Sequence, residues 1–128
     1  VKLRDDNPHI KLKVSATCNP FNIYYLDELY DFFKEVKIPI DIHLIQIPEC
    51  YDIRILPKAV KEVITKKHQH REDLAHVLRF LNSEMIDAEL YLKDFIYLTK
   101  GTDKIRNEKF GDAMPEFNQI LLENGIDI

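Results

Sequence analysis

The chain has 128 residues, of which 45% are hydrophobic and 31% charged, with a formal net charge of −4. This is the composition of one soluble globular domain, and it argues against a disordered tail or a broad electropositive face for nucleic acid. The longest apolar runs are too short to cross a bilayer, and the charged start VKLRDDNP has no apolar leader segment. No membrane partner and no nucleic acid are therefore expected, and a cytoplasmic location is. A first residue of Val suggests a processed or excised piece, or a translated fragment.

In chain order, IKLKVSAT alternates, with Ile10, Leu12, Val14 and Ala16 on one face and Lys11, Lys13, Ser15 and Thr17 on the other. This predicts a strand. IYYLDELYDFFKEV has helical spacing, with Leu26, Leu29, Phe33 and Val36 on one stripe. IDIHLIQI then alternates again, Ile40, Ile42 and Leu44 against Asp41 and His43, and Pro48 closes it. Strands joined by such a helix are expected to pair in parallel, with a right-handed crossover.

YDIRIL reads as a short extended piece. Pro57 suits the first position of a helix over KAVKEVITKK, where its missing N–H is not needed. HREDLAHVLRFL predicts a third helix on Leu74, Val77, Leu78 and Leu81. DAELYLKDFIYLTK predicts a fourth on Leu92, Phe95, Ile96 and Thr99, ending near Gly101. PEFNQILLEN closes with Pro115 at its start and Gly125 as C-terminal cap. The fold class is α/β: a β-α-β unit over residues 1–56, then a helical region over 57–128, within one compact domain.

Candidate site residues cluster on the strands. Lys13, Ser15, Thr17 and Asn19 form an alternating polar row, repeated by Asp41 and His43. Such a row is either the solvent face of a sheet or the inner wall of a pocket. Ligands of parallel sheets bind beyond the carboxyl ends of the strands. His68, His70 and His76 with Glu72 and Asp73 read as a solvated polar turn, since no HExxH zinc motif is present. No metal site is expected. Asp103 and Arg106 can pair at i, i+3 on a helix face. Tyr24, Tyr25, Phe32 and Phe33 read as packing residues. Cys18 and Cys50 lie just past the strands, where a disulfide is geometrically open but free thiols are favoured in the cytoplasm. No glycine-rich phosphate loop and no nucleophile–base pair occurs.

The run from Ile10 to Pro57 resembles the fifth strand, fifth helix and sixth strand of a radical SAM enzyme's partial (β/α) barrel, in the SPASM/Twitch-like branch. Lys13-Val14-Ser15-Ala16-Thr17 is similar to the family's fifth strand. Ile40-Asp41-Ile42-His43-Leu44-Ile45-Gln46-Ile47-Pro48 is similar to the sixth. Phe95, Thr99, Asp103, Arg106, Pro115 and Glu116 match the helical end of such enzymes.

The resemblance implies that Ser15, with Asn19, faces the methionyl or ribose part of S-adenosylmethionine. Gln46, Ile47 and Pro48 would line its adenine, while Lys13, Thr17 and His43 would face substrate. The cluster motif CxxxCxxC is absent from these residues, so the chain is expected to hold no iron–sulfur cluster, to bind the cofactor weakly or not at all, and to be inactive alone. The expected partners are a missing N-terminal half-barrel or a second copy. A two-stranded unit leaves strand edges open, and strands of two chains could pair into a four-stranded sheet. The alternative reading is a helical α/β interaction module that self-associates or holds a protein partner.

Overall fold

A computed structural model describes all residues, Val1–Ile128. Two short parallel strands, β1 (Val14–Cys18) and β2 (Ile40–Leu44), form the only sheet. Seven helices accompany it: α1 (Lys2–Asp6), α2 (Leu26–Glu35), α3 (Lys58–His68), α4 (Ala75–Leu81), α5 (Ala88–Arg106), α6 (Phe110–Ala113) and α7 (Pro115–Glu123). The protein is thus a helix-rich α/β fold with a small parallel sheet.

The register pairs Val14 with Ile40 and Cys18 with Leu44. The Val14 N–H donates to the Pro39 carbonyl at 2.9 Å, and the Ile45 N–H donates to the Cys18 carbonyl at 3.4 Å. Both strands are shorter than their alternation suggests. Residues 10–13 stay outside the sheet because the partner strand begins only at Ile40, after Pro39. Residues 45–47 leave it because β1 ends at Cys18 and the chain turns through Asn19 and Pro20.

The helices follow the apolar spacing with four differences. The start of the first expected helix, Ile23–Tyr25, is a 3-10 turn leading into α2. The YDIRIL segment is not extended but winds into 3-10 turns at Glu49–Tyr51 and Ile53–Ile55. The Asp52 carboxylate accepts from the Arg54 N–H, which stabilises that second turn. The start of the helix expected over HREDLAHVLRFL is another 3-10 turn, Glu72–Leu74. Finally, α5 does not stop at Gly101. It continues one more turn and a half to Arg106, and Asn107 in the left-handed region (φ 54°) ends it. Gly101 lies on the exposed side of α5, so no packing demand breaks the helix there.

Gly125 does cap α7 as expected. It takes φ +78°, and the Ile126 N–H reaches back to the Leu121 carbonyl at 2.8 Å. The core gathers Cys18, Ile23 and Leu26 with Val60, Ile64, Leu74, Val77 and Leu81, and with Phe110, Phe117, Leu121 and Ile126. Ile42 and Leu44 pack against it from the sheet. A neighbouring cluster holds Cys50, Ile55 and Phe95. The helices therefore bury one face of the sheet and leave the other bare.

Candidate functional site

The bare face carries the polar rows. Lys13, Ser15, Thr17, Asp41 and His43 are all exposed, while the alternate residues Val14, Ala16, Ile40, Ile42 and Leu44 are partly buried toward the helices. The register sets Ser15 beside Asp41 and Thr17 beside His43. Lys13 forms an ion pair with Asp41 across the strands. The face is one continuous hydrophilic surface, because period-2 alternation in two parallel strands of matched register points both polar rows the same way.

Beyond the carboxyl ends of the strands the side chains change character. The Asn19 Oδ1 accepts from the Phe21 N–H at 2.9 Å and from the Asn22 N–H at 3.3 Å, so this acceptor is committed to the turn after β1. Its amide nitrogen makes no bond within the chain. Gln46, Ile47 and Pro48 are exposed, and Ile47 is 84% so. The structure thus brings Lys13, Ser15, Thr17 and His43 onto one face, and it places Asn19, Gln46, Ile47 and Pro48 at the rim where both strands end.

One hollow borders this face, and a second involves residues that follow the strands in the chain. The first, of about 530 Å³, is lined by Ile40, Asp41, Ile42 and His43 of β2 and Ser15 of β1, together with Tyr30, Asp73 and His76. Burial, with the negative charges of Asp73 and Asp41, raises the Tyr30 phenol above its ordinary value. The second, of about 850 Å³, lies between Phe21 and Tyr51, which follow the two strand ends, and the last turns of α5 with α6. That volume is in the range of small-molecule pockets. Arg106 lines it without an ion-pair partner. The expected Asp103–Arg106 pair does not form, because the Asp103 carboxylate instead accepts from the Phe110 N–H at 2.8 Å and anchors the start of α6.

The histidines separate. His70 and His76 are exposed, but His68 is fully buried, contrary to its reading as part of a solvated turn. It occupies the third core position of α3 after Val60 and Ile64, and its Nε2–H donates to the Ile23 carbonyl at 2.8 Å. Burial lowers its pKa, and its Nδ1 has no partner. The cysteines are both buried and free, and burial, then Asp52, pushes the Cys18 thiol up to about 12. Phe32, expected in the core, is instead exposed on the outer side of α2.

Sequence reasoning missed one charged residue of consequence. Asp52 is fully buried and holds the Arg54 guanidinium at 2.8 Å. Arg54 also donates to the Glu84 carbonyl and lies 4.5 Å from the Phe80 ring centre. No apolar period announces this pair, since both residues sit in irregular backbone. Comparison with known proteins returned no match: no family model, no curated protein and no solved structure is significantly similar to the chain.

Proposed function

We propose that the chain is the C-terminal part of a radical SAM-type enzyme, supplying two neighbouring barrel strands whose polar face and carboxyl ends border S-adenosylmethionine and substrate. The observation that carries this reading is the bare hydrophilic sheet face. A two-stranded sheet covered by helices on one side and polar on the other is what a segment cut from a barrel wall presents. The family resemblance of residues 13–48 and 95–116 adds to it.

The residues of the face and the rim suit the cofactor chemically. Ser15 and Gln46 offer exposed hydrogen-bonding groups that no other residue of the chain engages, and Asn19 retains its amide donors. Ile47 and Pro48 present an apolar surface of the kind on which an adenine ring lies. Ser15 and Asn19 would hold the methionyl or ribose part, Gln46 to Pro48 the base, and Lys13, Thr17 and His43 would face substrate. When bound beside an iron–sulfur cluster, the cofactor supplies radical chemistry. The ligands of that cluster would come from another part of the barrel, because this chain has only Cys18 and Cys50 and both thiols are buried.

The test is the reading frame upstream of the Val1 codon, which is expected to encode CxxxCxxC. A frame that opens without such a motif overturns the proposal. In solution, S-adenosylmethionine is expected to bind weakly, because the rest of its contacts lie on absent strands. It should shift the amide resonances of Ser15, Asn19, Gln46 and Ile47 before those of α3 or α7. Shifts confined to the helices would contradict the assignment of the rim.

A further inference from the structure

We propose that two copies of this chain associate through the outer edge of β2, in antiparallel two-fold pairing centred on Ile42. The inference stands on the sheet edge and does not rest on the barrel reading.

The ladder geometry identifies which backbone groups are free. The Val14 N–H bonds the Pro39 carbonyl and the Ile45 N–H bonds the Cys18 carbonyl, with Val14 beside Ile40. In a parallel ladder of that phase, Asp41 and His43 direct their N–H and C=O groups toward β1. Ile40, Ile42 and Leu44 direct theirs outward, where no strand follows β2. A hollow of about 530 Å³ touches Ile40 and Ile42 among them, with Tyr30, Asp73 and His76 also in its wall. Outward groups at alternate residues of an open edge are a template for another strand.

The occupant follows from the side chains. Pairing β2 with itself about Ile42 sets Ile42 opposite the partner's Ile42 and Ile40 opposite the partner's Leu44. Each such pair exchanges both of its outward hydrogen bonds. The same register sets Asp41 opposite the partner's His43, and this contact occurs twice by symmetry. Asp41 and His43 then occupy non-hydrogen-bonded positions, with Cα atoms only about 4.5 Å apart. An acid meets a histidine on the polar face, and apolar residues meet on the helix-covered face. The outer edge of β1 offers no such match. Centred on Ser15, it would set Lys13 against Thr17 without an opposite charge. Pairing through β2 gives the strand order β1-β2-β2-β1 and leaves the β1 edges free.

Sedimentation of the whole chain over a concentration series, with hydrogen exchange on the same samples, tests this. A dimer is expected whose Ile40, Ile42 and Leu44 amides become protected as concentration rises. The Asp41 and His43 amides, already in the ladder, should change little. Asp41→Lys, on the exposed face, should raise the dissociation constant about tenfold, and adding His43→Asp should restore it. A monomer up to submillimolar concentration overturns the proposal. So does a dimer whose edge amides still exchange freely, or one indifferent to both substitutions.

Discussion

At the scale of single residues, stability concentrates in polar groups that the core has enclosed. Asp52 is fully buried and spends both oxygens on Arg54. Asp52→Ala leaves Arg54 part-exposed and still bonded to the Glu84 carbonyl, so the cost is that of the lost charge-assisted hydrogen bonds, about 1.5–3 kcal/mol. Total stabilities are about 5–15 kcal/mol. Asp52→Ala is therefore expected to lower the urea midpoint, read by circular dichroism because the chain has no Trp. Replacing both partners by apolar residues should recover much of the loss.

His68 gives the pH dependence. Burial holds its folded pKa below the ordinary value of 6.5. The unfolded chain therefore binds the extra proton first as pH falls. Its contribution to stability is complete above 6.5 and declines below it. Denaturation measured across that range should show the decline, and His68→Gln, which keeps a donor for the Ile23 carbonyl, should flatten it.

At the scale of elements, the ends of the helices carry the information. α2 ends with Lys37 at φ 57°, and the Ile38 N–H returns to the Phe33 carbonyl at 3.0 Å. This is the left-handed cap that glycine adopts freely and a lysine adopts at a cost of roughly 1–2 kcal/mol. Lys37→Gly should therefore raise the melting temperature by a few degrees. The Arg4 guanidinium bonds the Lys37 carbonyl at 3.1 Å, and the backbone swap leaves that contact in place.

Alternation made β1 and β2 legible in the sequence, and 3.6-residue spacing made the helices so. Their limits were not legible. A strand ends where its neighbour ends, which depends on pairing, and α5 crosses Gly101 because nothing packs there. The polar rows of the candidate site were readable for the same reason as the strands. Asp52, and the burial of His68, were not. A carboxylate between two 3-10 turns and a histidine at an i+4 core position look, in sequence, like their solvated counterparts.

At the scale of the whole molecule, the strands depend on residues far along the chain. Cys18, Ile23 and Leu26 share their core with Phe117, Leu121 and Ile126. The Phe117 N–H donates to the Tyr25 hydroxyl across 92 residues, and the Phe117 ring stacks on Tyr24 at 5.6 Å. During synthesis, the β-α-β unit leaves the ribosome long before α7 exists. Until then its apolar face lacks its final cover. The nascent chain thus passes through an interval in which that face is exposed to wrong partners; docking of α7 ends it, while the outer strand edges stay open in the folded chain.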